Sequence, residues 1–355
     1  MSVTKVSSAM QDLTDDYAFT GTISGAGAPS HRNDIINGGL VVNQENVTAP
    51  ADDDYTIGDL FLHVGEGTPV MSLETDGPQG TRPWQKMVLD ANAQGGLVYF
   101  MSNDDVQDYI ANGKLSFGIQ LKTTAATIAN ARIGILKWVG TADAVTSDVV
   151  GTWASDGTNP TLATSWSYEN TPANIGLTTS WARHTVEDIT VDSNTTNIAI
   201  FVWTDDGTIT ASDVIGFSEW QCNPGSTVHA FSSPSKTNVQ EQVDYYLQRW
   251  GSPETIGANG PTNIAGHVVT STVGWGMVSY RRAMRVVPTF TYNNGSAFHL
   301  YAGNADPTTT AIGLGGIDKT NARVSLTVAS GLTVGQGWEA IFSGSDDWYM
   351  MDARH

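Results

Sequence analysis

"LSFGIQLK", residues 115–122, alternates without a fault. Leu115, Phe117, Ile119 and Leu121 fall on one side; Ser116, Gly118, Gln120 and Lys122 fall on the other. Successive side chains of a strand point to opposite faces, so this is a strand with one face in a core and one in water. "ARVSLTV", residues 322–328, repeats the pattern. "NIAIFVW", residues 197–203, is apolar in both phases, as a central strand covered on both sides would be. Asp205-Asp206-Gly207 and Asn293-Asn294-Gly295 tolerate the positive φ that tight turns demand. The 37 glycines suit many short strands joined by turns, and the chain is predicted to be all-β.

Helical spacing is scarce. Val239, Val243, Tyr246, Leu247 and Trp250 predict one short helix over Asn238–Trp250, and Asp104–Asn112 suits a shorter helical turn. "GSPETIGANGPTN", residues 251–263, has no periodicity and is rich in Gly, Pro and Asn, so it reads as a linker or long loop. This predicts two β-sandwich domains: a larger one over residues 31–250, closed by the helix, and a smaller one over 251–355. Residues 1–30 are polar, with apolar positions only at Val6, Met10, Leu13 and Tyr17. Such a segment cannot bury enough surface to order itself, and it is read as an anchoring arm that orders against a partner.

A chain of 355 residues can build a sizeable core without crosslinks. Its single cysteine, Cys222, allows no intrachain disulfide. The 36 acidic and 17 basic residues give a net charge of −19, which argues against a nucleic-acid partner. No apolar run approaches the ~18 residues of a membrane span, so no membrane insertion is expected. Residues 1–30 hold no apolar run of signal-peptide length either.

The residues that usually carry catalysis are not arranged to do so. None of the seven histidines falls in a metal-ligand spacing, and there is neither a Gly-x-Ser-x-Gly elbow nor a phosphate-binding glycine loop. The chain is therefore not expected to be an enzyme. Asp52-Asp53-Asp54, Asp104-Asp105, Asp205-Asp206 and Asp346-Asp347 suit surface turns first, with a structural calcium left open as the only cofactor. Of the eleven tryptophans, Trp181, Trp203, Trp250, Trp275 and Trp338 read as core. Trp153, Trp166 and Tyr168 lie instead in "GTWASDGTNPTLATSWSYENTPANIG", residues 151–176, a polar stretch that also holds Asp156. Rings on such a loop can stack on a sugar's C–H face while a carboxylate takes its hydroxyls. Packing of a long loop, or of a subunit interface, explains the same rings.

"NDIINGGLVVNQ", residues 33–44, resembles the opening of phage tail-fibre and virion proteins that carry a carbohydrate-binding-module-like jelly roll. Further matches keep that family's order: Tyr55-Thr-Ile-Gly-Asp59, "NGKLSFGIQLKTT" at 112–124, "LTTSWARHTVEDITV" at 177–191 and "GFSEWQCNPGSTVHAFSSPS" at 216–235. "LQRW" at 247–250, "MRVVPTFTY" at 284–292 and the closing "WYMMDARH" follow. Leu60-Phe61 replaces the family's Arg-Trp, and Leu247 replaces its Cys.

The resemblance implies a jelly roll followed by a smaller sandwich in a virion appendage: a tail fibre, spike or head fibre. That appendage would be structural and adhesive, and would recognise a host-surface polysaccharide. It would be assembled in the host cytoplasm, released by lysis, and joined to other virion proteins of capsid or tail through residues 1–30. A decoration protein without sugar binding, or a polysaccharide depolymerase spike, are the alternatives. The resemblance also implies a homotrimer. Apolar residues in both phases of 198–203 and of 348–351 would supply the contact between copies, unless the chain covers these faces itself.

Overall fold

The computed structural model describes residues 32–124, 127–205, 209–251, 261–303 and 305–354. The arm with Val6, Met10, Leu13 and Tyr17 lies outside them. The fold is all-β. The first part of the chain contributes β1 (Phe61–Gly65), β2 (Val70–Glu74), β3 (Trp84–Val88), β4 (Gly95–Met101), α1 (Asn103–Asn112), β5 (Lys114–Thr123) and β6 (Asn130–Trp138). Next come β7 (Val150–Thr152), β8 (Thr161–Leu162), β9 (Trp166–Tyr168), β10 (Ile175–Gly176), β11 (Ala182–Thr190), β12 (Asn197–Thr204) and β13 (Val214–Pro224). After α2 (Lys236–Val243) come β14 (Leu247–Gly251), β15 (Pro261–Thr270), β16 (Val273–Ser279), β17 (Thr289–Tyr292) and β18 (Phe298–Tyr301). The chain closes with β19 (Thr309–Ile317), β20 (Asn321–Val328), β21 (Gly337–Phe342) and β22 (Trp348–Asp352).

Two antiparallel sheets form the larger sandwich. One runs β1-β4-β12-β6-β10 with β9 added beside β6; the other runs β11-β5-β13-β3-β2. The apolar phase of β5 meets Ile133 and Ile135 of β6 and Ile198, Ile200 and Val202 of β12 in one core. The opening segment docks on the end of β13. Asn33 Nδ2 donates to the Trp220 carbonyl at 2.8 Å, and its Oδ1 accepts from the Cys222 amide at 3.1 Å. Gly38 is needed there because a Cβ would lie 2.2 Å from the Trp220 carbonyl oxygen. α1 is capped by Ser102, which accepts from the Asp105 amide, and ends at Gly113 in the left-handed region, where glycine carries no Cβ penalty.

The second phase of β12 is covered from within the chain. Ala199, Phe201 and Trp203 pack with Leu136, Trp138, Val149, Val150 and Trp166 in a separate apolar layer. The double-apolar strand at 197–203 is thus central, as its sequence predicts, and its outer face is not left for another copy.

The helix expected over Asn238–Trp250 is shorter. It stops at Val243, and Leu247–Gly251 is a strand paired with the last strand of the chain, Leu247 opposite Asp352 and Gly251 opposite Trp348. Val239, Val243 and Leu247 all reach the larger core, so helical spacing is satisfied by a helix followed by a strand. The small sheet β14-β22-β17 packs against the sheet β18-β21-β15-β16-β20-β19 to make a second core. β22 also explains its own double-apolar sequence. Tyr349 and Met351 enter the second core, while Met350 and Trp348 pack on the first. Here too the apolar surface that the sequence offers to a neighbouring copy is used within the chain.

Polar side chains fix this junction. Arg354 pairs with Glu45 and Asp352, donates to the Asp59 carbonyl at 2.7 Å and lies 3.6 Å over the Tyr55 ring. Gln44 Nε2 donates to the Leu247 carbonyl at 3.0 Å. Buried Asp59 accepts both Gln44 and Glu45 amides; burial foremost pushes its carboxyl up to about 6.

Candidate functional site

The residues singled out in the 151–176 stretch lie over the outer face of β12 and β6. Trp166 is only 6% exposed; its ring sits 5.1 Å from Trp138 and 5.8 Å from Phe100, and its Nε1 donates to Thr146. Tyr168 is half-buried and donates to the Pro160 carbonyl at 3.0 Å. Trp153 is half-buried, edge-on to Phe201, and Asp156 is exposed. Buried Arg132 holds this excursion down through Asp205 at 2.9 Å, Asn159 at 2.5 Å and the Pro172 carbonyl at 3.1 Å. The stretch therefore brings its aromatic rings together chiefly as a covering layer.

A different aromatic pair faces outward on the other sheet. The outer phase of β5 carries Gln120 and Lys122. Across the sheet, Lys122 stands opposite Gly216 of β13, which stands opposite Lys86 of β3, which stands opposite Ser72 of β2. One row along, Gln120 faces Arg183 of β11 and Ser218 of β13, while Trp84 faces Glu74. Trp181 immediately precedes β11, beside Lys122. The indoles of Trp84 and Trp181 meet edge to face, 5.4 Å apart at 79°. Trp84 is 5% exposed and forms the floor; Trp181 is half-buried and forms a wall.

Gly216 makes this corner. A Cβ there would lie 2.9 Å from Trp84 Cε3 and Cζ3 and 3.0 Å from Trp181 Cη2. With no side chain, the rings can lie down on the sheet. Lys122 Nζ then fills the angle between them, 4.0 Å from the Trp84 ring centre and 4.7 Å from that of Trp181. An ammonium over an indole face is held by the ring's quadrupole.

The surrounding charges are tied in place. Trp84 Nε1 donates to Asp76 at 2.8 Å, and this hydrogen bond foremost holds the Asp76 carboxyl below its ordinary range. Lys86 lies 3.7 Å from Glu74, and Arg82 lies 3.4 Å from Glu219. Arg183 donates to the His229 carbonyl at 3.0 Å, and its pKa is lowered by burial. The result is a sheet surface with an aromatic corner and with carboxylates and amides held on the same face. Such a surface can stack on an apolar ring face and exchange hydrogen bonds with hydroxyls.

Sequence reasoning placed Trp181 and Trp275 in the core, and the structure corrects both: Trp181 lies on the outer face of its sheet, and Trp275 is exposed on β16. Trp84 and Gly216 carried no signal of their own. The polar phase of Leu115–Lys122 was the usable one, since it fixes Gln120 and Lys122 on the face away from the core. Elsewhere, Asp52, Asp54 and Asp148 surround Asp53, whose carboxyl is pushed up to about 6 by burial first and by these neighbours second. Among the described residues no group of three or more His, Cys, Asp or Glu is gathered to hold a metal ion.

No protein-family model matches the chain, and no curated protein matches its sequence. Solved structures similar to it include carbohydrate-binding modules. TmCBM61 in complex with β-1,4-galactotriose is 13% identical, with 55% of this chain and 99% of that one covered at a TM-score of 0.32. The family 11 module from Clostridium thermocellum, in complex with a β-1,3-1,4-mixed-linked tetrasaccharide, is 11% identical and covers 51% and 97% at 0.28. The tandem CBM22-1-CBM22-2 domain of Xyn10C from Paenibacillus barcinonensis is 10% identical and covers 82% and 91% at 0.30. The site's chemistry is read from its own side chains.

Proposed function

We propose that the outer face of the β2-β3-β13-β5-β11 sheet binds a saccharide, and that the chain is a non-catalytic, adhesive component of a phage virion. The observation that carries the binding reading is the Trp84–Trp181 corner on the outer side of the sheet, for which Gly216 leaves room, with half-buried Trp181 as its wall and Trp84 as its covered floor. Aromatic faces presented beside fixed carboxylates and amides suit a pyranose, which has apolar faces and a polar rim. The virion reading rests on the resemblance of residues 33–44 and the ordered matches after them. In it, residues 1–30 attach the sandwiches to capsid or tail, and copies associate as trimers. Exposed Trp275, Met277 and Tyr301 on the β15–β21 sheet remain as apolar surface for a neighbour.

A glycan array with the whole protein tests the binding. Specific hits are expected, and Trp181→Ala should weaken them roughly fivefold, the worth of one aromatic stack of about 1 kcal/mol. A flat response across host polysaccharides would favour a decoration protein instead. New reducing ends in the incubated polysaccharide would point to a depolymerase.

A further inference from the structure

We propose that the saccharide taken by this face is anionic, with its acid group seated on Lys122; this rests on the saccharide reading above. The inference comes from how the charges of the face are used. Asp76 is engaged by the Trp84 indole, Glu74 by Lys86 and by Ser72 Oγ at 2.9 Å, and Glu219 by Arg82. Among the described residues Lys122 makes no ion pair with any of them; it packs on the two indole faces, with Asp76 near enough to feel its charge.

An aromatic face attracts a cation but accepts no directional hydrogen bond as a carboxylate does. An ammonium has three donors. The corner therefore holds Nζ in place and leaves its N–H groups for an outside acceptor. The ammonium is thus held by ring faces and not locked in an ion pair, although Asp76 stands close enough for the two charges to act on each other. The net charge of −19 opposes an anionic ligand's approach unless the local cations offset the overall field. Lys86, Arg82 and Arg183 flank it on the same face.

The geometry selects the kind of anion. Nζ lies 4.7 Å from the centre of the Trp181 ring. A sugar packed against the rim of that ring, beside the lysine, turns its exocyclic substituents towards Nζ. A hexuronate carries its carboxylate at that rim, and a sulfate ester on a neighbouring hydroxyl would occupy the same space. The shared chemistry is an anionic oxygen group one substituent away from an apolar pyranose face.

The test uses the whole protein on an array of uronate-containing, sulfated and neutral polysaccharides, with wild type, Lys122→Gln and Trp181→Ala side by side. Unchanged urea midpoints confirm that the variants fold. The expected result is that hits concentrate among the acidic glycans, that Lys122→Gln weakens them at least tenfold, and that the remaining affinity depends less on salt. Uronate hits without sulfated hits assign a carboxylate, and the reverse assigns a sulfate. Hits confined to neutral glycans, or Lys122→Gln binding as tightly as wild type, overturn the inference and leave the saccharide reading standing. No hits for any variant overturn both.

Discussion

Replacing Arg354 with Met tests what joins the two sandwiches. The side chain is 4% exposed, and Glu45 opposite it is 10% exposed. Its guanidinium also holds Asp352 at 2.6 Å and the Asp59 carbonyl at 2.7 Å. Methionine keeps much of the volume and removes every one of these donors. Glu45 is then a nearly buried carboxylate without its ion-pair partner, with Arg249, bonded to its carbonyl, as the nearby cation. Breaking a buried pair by removing one partner costs about 3–5 kcal/mol, because the remaining charge stays desolvated. For domains of this size that is a fall in melting temperature on the order of 10 °C. Urea unfolding followed by tryptophan fluorescence measures it, since Trp250 and Trp348 lie at the junction. Adding Glu45→Gln to Arg354→Met should recover a large part of the loss, because the stranded charge is gone. A loss below about 1 kcal/mol, or one that vanishes in about 0.5 M salt, would mean that the pair behaves as an exposed one. The account of a buried clamp would then be wrong.

Gly216→Ala should push the indole corner apart while leaving the backbone unstrained, at a cost of about 1–3 kcal/mol for overpacking. Array binding should fall with it, and unchanged affinity would detach the corner from binding. Asp59 gives a pH dependence of unusual sign. Its folded carboxyl titrates at about 6, above an unfolded value of roughly 3.9, so keeping it ionised at neutral pH destabilises the fold. As pH falls through 6 towards 4 this penalty disappears. The stability of wild type relative to Asp59→Asn should therefore rise by up to about 3 kcal/mol over that range. A difference that stays flat or falls would show that Asp59 is not held up by burial.

Local alternation in the sequence determined the strands. The stretch 115–122 declared one core-facing phase, and 197–203 declared two; both hold because side-chain direction along a strand is a property of the backbone. The other phase of 115–122 is not wet, with Ser116 buried and Gln120 and Lys122 half-buried. The polar phase of the first stretch already placed Gln120 and Lys122 on the face away from the core. Which strands pair was decided only in three dimensions. Leu247–Gly251 reads as the end of a helix because its spacing continues that of Val239 and Val243. Its ladder partner, Trp348–Asp352, lies at the far end of the chain, where no local pattern can announce it. Burial of an aromatic ring is undecided in the sequence for the same reason. Trp166 sits in a polar loop and is covered, while Trp181 sits at the start of a strand and faces outward. A polar neighbourhood in sequence says nothing about which sheet the loop folds over. The corner of Trp84, Trp181 and Lys122 exists because β11, β5, β13 and β3, distant in the chain, lie side by side with Gly216 of β13 between the lysine and Trp84, and hydrogen-bonded register is a long-range choice made by the whole core.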